Sequence, residues 1–320
     1  MSYAQYSTIE AGDFNTLVTG FANGASNLSA NTLNSVWASG SQNKGYGQTA
    51  IVAETTGNTI TASKWAALVS NTASAASHQS SSISAVTAPA AGNTITYLSA
   101  IPSNLVTINT NRLNAVSQSS TSSNTATFAS TWSSAVTFTH TVTFANGDAA
   151  RYFFNSGGQL AVTCSHPAGS NINLLLNGLA SNVGTVVLSS PTSGTATIAG
   201  TSYNGITKVG GGGSTPTVST NTGYYALTTS NANVFYQTAS TGPSGYLSTN
   251  INIFIKSNGT QGSNGDVGNV ITIYTVWDEV PNGLTVSTGT ATTVTIRPPE
   301  TTYIGNSWGT PTVTGTGTGS

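Results

Sequence analysis

Apolar residues change their spacing once along the chain, near residue 131. Before that point they recur every three or four positions, which places them on one face of a helix. Phe14, Leu17, Val18 and Phe21 follow Asp13, a residue suited to capping a helix. Leu33, Val36 and Trp37 share a face within residues 31–37. Thr61 or Ser63 fits the start of a helix through Lys64, Trp65, Leu68 and Val69 towards His78. Leu98, Ile101, Leu105, Ile108 and Arg112 repeat the spacing, and Pro102 suits a first turn. Lys44-Gly45-Tyr46-Gly47-Gln48 and Thr56-Gly57-Asn58-Thr59-Ile60 read as turns between these helices.

From about Trp132 the period becomes two. Val136, Phe138, His140, Val142 and Phe144 alternate with Thr137, Thr139, Thr141 and Thr143, which predicts a half-buried strand with a threonine face. Asn146-Gly147-Asp148 follows as a turn signal. Further strands are predicted at Arg151–Phe154, Gln159–Ser165, Val183–Ser189, Tyr224–Thr228, Val234–Thr238, Ile251–Lys256, Val270–Trp277 and Thr293–Arg297. One helix over Ile172–Leu179 interrupts them, carrying Leu174, Leu175, Leu176 and Leu179. The predicted fold class is α+β, mainly β. A helical oligomerisation or attachment module spans 1–131. An antiparallel β-sandwich or jelly-roll-like domain with one short helix spans 132–299. Residues 300–320 form a Thr/Gly-rich tail, expected to pack on neighbouring chains because a free end of this composition frays.

Composition changes the picture of the surface. Only 5% of the 320 residues are charged, 7 Lys and Arg against 8 Asp and Glu, for a net charge of −1. Soluble domains are roughly 25% charged. Polar surface must therefore come from Ser, Thr, Asn, Gln and Gly, and near-zero net charge promotes association. Thr-rich strands without Lys or Pro gatekeepers point to edges used for subunit pairing. Met1–Tyr6 has neither a basic nor an apolar leader pattern, and no apolar run is long enough to span a bilayer. Seven dispersed cations give no basic stripe for nucleic acid.

Candidate chemistry is sparse. His78, His140 and His166 lack metal-ligand spacing. Cys164 is the single cysteine and reads as a small packed residue, although Cys164 and His166 would share one side of a strand. Glycoside hydrolysis needs two carboxylates facing each other. Asp278 and Glu279 are adjacent and so point to opposite faces; Glu10, Asp13, Glu54, Asp148, Asp266 and Glu300 are scattered. Asn258–Asp266 has a faint calcium-loop pattern without the spaced carboxylates or closing Glu. No catalytic residue, metal or cofactor is expected. Tyr46, Trp277, Tyr303 and Trp308 are the candidate glycan or interface contacts.

Several stretches read together. Asn43-Lys44-Gly45-Tyr46-Gly47-Gln48, Gly57–Trp65 and His78-Gln79 come first; Asp148–Leu160, Gly223-Tyr224-Tyr225-Ala226-Leu227 and Tyr274–Asp278 follow. Their set and order over residues 1–300 resemble tailed-bacteriophage virion structural or tail-fibre-like proteins, of the kind found in myophages of aquatic bacteria and cyanobacteria. The resemblance implies a non-enzymatic particle component located in the virion, with copies of itself and other virion proteins as partners. No heptads, collagen repeat or β-helix period accompany it, so a compact tail, fibre, neck or capsid-decorating subunit is expected. The alternative is a receptor-binding adhesin recognising host surface glycan; a glycan depolymerase ranks third. Neither nucleic acid nor membrane insertion is expected.

Overall fold

The computed structural model describes residues 11–20, 31–90, 100–240, 246–261, 265–278, 280 and 283–319. Four helices come first: α1 (Ala11–Val18), α2 (Leu33–Trp37), α3 (Ala62–His78) and α4 (Ala100–Thr110). Thr61 caps α3 by accepting from the Lys64 N–H, and Trp65, Leu68, Thr72, Ala75 and Ala76 line its buried face. Phe14 of α1 meets Trp65 with ring centroids 6.0 Å apart. The expected positions Phe21 and Leu98 lie outside the described residues.

Two extended segments cross this helical module without a ladder partner. Ile51 and Glu54 are buried in one; Ile83, Val86 and Pro89 are half-buried in the other. Burial at every third residue is the period of polyproline II rather than of a strand. Such backbone still needs hydrogen-bond partners. Carboxamides supply them. Asn15 donates to the Glu54 carbonyl and accepts from its N–H, both at 2.7 Å. Asn34 treats Ile51 the same way, and Asn104 does so for Ser84. One Asn side chain carries both a donor and an acceptor, so it substitutes for a missing strand neighbour. In a chain this poor in charge, amides do most of the fastening, beside a single described ion pair here between Lys64 and Glu54.

The rest of the chain builds two antiparallel sheets. One has five strands in the order β1 (Ser122–Phe128), β12 (Thr290–Arg297), β3 (Gln159–Ser165), β4 (Thr185–Leu188), β7 (Ile206–Val209). The other has six, β13 (Thr312–Gly319), β2 (Val136–Thr143), β11 (Val270–Asp278), β10 (Asn250–Ser257), β9 (Ala232–Thr238), β8 (Thr217–Val218). Helix α5 (Gly147–Asn155) links β2 to β3. Helix α6 (Ile172–Val183) lies against β3 of one sheet and β9 and β10 of the other, burying Ile172, Leu175, Leu176, Leu179, Ala180 and Val183. A hairpin of β5 (Ala196–Ile198) and β6 (Thr201–Tyr203) covers Ala161 and Val187 on the opposite face of the five-stranded sheet. The fold is thus α+β and mainly β, with a helical region ahead of a β-rich region. The larger apolar core runs from Phe14 of α1 through both sheets to Trp308, and the hairpin closes a smaller one on the other face of the five-stranded sheet.

Four expectations change. Strand β1 lies inside the stretch assigned to the helical module, so the sheets begin earlier than residue 132. Residues 151–154 are helical: Asn146 caps α5 through the Ala149 N–H, and Ala149, Ala150, Phe153 and Phe154 bury one face. A short window with Phe and Tyr satisfies either period, and the cap decides. Tyr224–Ala226 is a single 3-10 turn, not a strand. The tail does not need a neighbouring chain for its order. Ile304 and Trp308 anchor it in the core, and β13 pairs with β2 of the same chain from Thr312↔Thr143 to Gly319↔Val136.

The glycines of β13 explain how it fits. Gly315, Gly317 and Gly319 face inwards. A Cβ on Gly315 would sit 2.6 Å from both His140 Nε2 and Asn124 Oδ1, and one on Gly317 would sit 2.8 Å from the Phe138 ring. Stacked sheets normally stand about 10 Å apart. Here missing side chains let the β1 and β13 edges close on each other.

Candidate functional site

Four of the six stretches that carry the resemblance meet at the loop Ser39–Gln48; Gly57–Trp65 and Tyr274–Asp278 do not. Tyr46 enters the core between the ends of α3 and α4. Its hydroxyl donates to the Arg112 carbonyl at 2.8 Å and accepts from Gln79 Nε2 at 2.7 Å. His78 packs edge-on against its ring, with centroids 5.2 Å apart. Burial pushes the Tyr46 hydroxyl well above the usual phenol range. From the β-rich side, α5 presents Arg151 and Asn155, four residues apart and therefore on one face. Arg151 Nη1 donates to the Ser39 carbonyl at 2.6 Å and the Lys44 carbonyl at 3.0 Å; Nη2 pairs with Asp148 Oδ1 at 3.2 Å. Asn155 Nδ2 reaches the carbonyls of Gln42, Lys44 and Gly45 and its Oδ1 accepts from the Tyr225 hydroxyl. Gly47, at φ +69, has no room for a side chain: a Cβ would lie 2.4 Å from the Tyr152 ring.

The tail closes the same joint. Gln48 donates to the Gly305 carbonyl and accepts from its N–H, both at 2.8 Å, and the Ser307 hydroxyl donates to the Tyr46 carbonyl. Gln48→Leu is expected to lower stability by about 1 kcal/mol, since water can replace these exposed bonds. Faster amide exchange confined to 303–308 checks it; unchanged protection there contradicts the role.

The histidines and the cysteine are structural groups. His166 Nε2 faces Asn173 Oδ1 at 3.0 Å, an acceptor already held by the N–H and hydroxyl of Ser287. That nitrogen must donate, so Nδ1 accepts from Thr290 Oγ1, which takes the Trp132 indole N–H. With both ring nitrogens engaged, His166 joins no metal pair with Cys164. Desolvation pushes the thiol of half-buried Cys164 up to about 12, which favours its protonated form. His140 is fully buried on the inner face of β2, and desolvation lowers its pKa. Among the described residues no group of three or more His, Cys, Asp or Glu could hold a metal ion. No described helix is long and apolar enough to cross a membrane.

Of the four candidate contact residues, three are core. Tyr46, Trp277 and Trp308 are 0%, 0% and 2% exposed, so none can touch a ligand or partner at the surface. Large aromatics bury the most area and the core claims them first. Only Tyr303, at 42%, lies open. Asp148 is committed to Arg151 and to the Gly265 N–H, and Glu54 is buried against Lys64. Glu10, Glu279 and residues 262–264 of the calcium-like loop lie outside the described residues. A cleft of about 420 Å³ between α3 and the 48–51 segment is lined by Trp37, Gln48, Ile51, Ser63, Lys64 and Asn71 among others, and no carboxylate lines it.

Family models, curated proteins and solved structures give no match to this chain. The joint was not foreseen from the sequence: Arg151, Asn155 and Tyr225 lie in stretches noted only for their resemblance, with no role assigned to them. The Arg151/Asn155 spacing was visible once α5 was read as a helix.

The surface that remains is the outer face of the six-stranded sheet. On it Thr312, Thr314, Thr316 and Thr318 stand opposite Thr143, Thr141, Thr139 and Thr137 in register. Thr272 and Tyr274 continue this face on β11, and Phe254 and Tyr236 continue it on β10 and β9. Lys256 lies over the Tyr274 ring at 5.5 Å. Among the described strand positions of this face the charges are that lysine and, at the end of β11, Asp278.

Proposed function

We propose that this chain is a structural subunit of a bacteriophage particle, working through contacts rather than chemistry. The observation that carries the reading is where four of the six resemblance-bearing stretches go. Asn43–Gln48, His78-Gln79, Asp148–Leu160 and Gly223–Leu227 are spent on one buried joint between the helical region and the sheets, not on an open cleft. The nearly uncharged surface supports the same reading, because interface cores are depleted in charge. Purified particles are expected to contain peptides of this chain in constant ratio to the other structural proteins. Its recovery only from the particle-free fraction overturns the proposal.

A second reading, a receptor-binding adhesin, draws on Tyr236, Phe254 and Tyr274 beside Asn233 and Asn252, an aromatic and amide mixture suited to sugar rings. Binding to host-cell glycans that drops at least about tenfold in Tyr236→Ala supports it. Absence of binding by the wild-type chain removes it.

A further inference from the structure

The two ends of the sandwich are finished differently. At one end the edges are β7 and β8. Strand β7 has 4 residues and carries Lys208; β8 has 2 residues. Short edges and lysines are the usual means of preventing further strand pairing. At the other end the edges are β1, with 7 residues, and β13, with 8. Neither contains Lys, Arg, Asp, Glu or Pro. Strand β13 pairs with β2 over its whole length without a bulge. In an antiparallel ladder alternate residues turn their N–H and C=O groups away from the partner. Among the described residues, no backbone bond outside the β2 ladder reaches 312–319, so those outward groups form an open hydrogen-bonding row.

We infer that the free edge of β13 pairs antiparallel with β13 of a second copy, joining two six-stranded sheets into one across a twofold axis. The inference deepens the proposed assembly role by naming its contact. The strand is self-complementary. Thr-Val-Thr-Gly-Thr-Gly-Thr-Gly laid antiparallel on itself in any even register sets the threonine face against threonine and the glycine face against glycine. No like charges oppose each other, so nothing in the strand disfavours the pairing. The pairing also continues the threonine rows of β2 and β13 unbroken onto the partner's sheet. Inward glycines keep β13 thin and pinned against Asn124, Phe128, Phe138 and His140, so the edge is presented without moving the core.

The test is mass by light scattering over a wide concentration range, with hydrogen exchange on the same samples. The wild-type chain is expected to show a concentration-dependent dimer in which amides of 312–319 gain protection. Thr314→Lys/Thr316→Lys places lysines across the seam while leaving the β2 ladder intact. It is expected to weaken the dimer on the order of tenfold or more. Thr139→Lys/Thr141→Lys puts the same charges on the same face one strand inwards and is expected to dimerise like wild type. A chain that stays monomeric throughout overturns the inference. So does a dimer indifferent to the β13 lysines, which would mark an exchanged strand or another surface. A dimer broken equally by both pairs also overturns it, because the contact is then the sheet face. Presence in particles together with any of these outcomes leaves the assembly role standing and removes only this contact.

Discussion

Replacing Arg151 with methionine is expected to destabilise the chain by about 2–4 kcal/mol, because two backbone carbonyls of the joint lose a buried charged donor. The side chain is 1% exposed, whereas Asp148 is 31% exposed. Methionine fills much of the same space, so the effect is not a cavity. It comes from the Ser39 and Lys44 carbonyls, which lose their donor inside the joint, and from Asp148. Arg151→Lys is expected to recover only part of the loss, because an ammonium cannot span two carbonyls and a carboxylate as a planar fork does. Urea denaturation measures both. A methionine variant within about 1 kcal/mol of wild type would show that the joint is held by apolar packing alone.

Stability is expected to fall steeply as pH drops below 6.5. Burial lowers the pKa of His78 from 6.5 to about 4, against weaker opposing pulls from the Ser156 carbonyl and Glu300. His78 Nε2 donates to that carbonyl at 3.0 Å while Nδ1 has no partner, so the folded state holds the neutral ring. The unfolded chain takes up its proton near pH 6.5 and the folded chain only near pH 4. Between those values the unfolded state binds more protons, so stability is complete above pH 6.5 and drains away as pH falls towards about 4. At roughly 1.4 kcal/mol per pH unit, His78 contributes on the order of 3 kcal/mol over that window. His140 and His166 are shifted in the same direction by burial and steepen the loss. The His78→Gln variant is expected to flatten the profile by about the His78 share. Equal slopes for variant and wild type between pH 6.5 and 4.5 would assign the acid sensitivity to other groups.

Elements with one clear period were readable from the chain. The Gln159–Ser165 strand matches its expected bounds, and the Val136–Phe144 and Val270–Trp277 strands and the Thr61-capped helix differ by a residue at an end. In each the apolar residues match a single template. Strand β1 and strand β13 were not readable, because Ser-Ser-Asn-Thr-Ala-Thr-Phe and Thr-Val-Thr-Gly-Thr-Gly-Thr-Gly bury almost no side chain of their own. Their order comes from ladder bonds to β12 and β2, and such non-local pairing leaves no periodic apolar trace. The extended 48–54 segment escaped for a related reason: its partners are the carboxamides of Asn15 and Asn34, distant in sequence.

Spacing and composition therefore settle the helical start, the β-rich remainder and a surface built without charge. These are local or summed properties that need no contact between distant residues. The joint around Tyr46 was settled by the fold alone. Arg151 and Asn155 of α5, with Tyr225, Gln79 and Gly305, reach one loop from four separate parts of the chain, and a hydrogen bond carries no trace of its partner in the spacing of either residue. The fold likewise decided which aromatics are surface: the core took Tyr46, Trp277 and Trp308, because desolvating large rings is the strongest driving force available to so uncharged a chain.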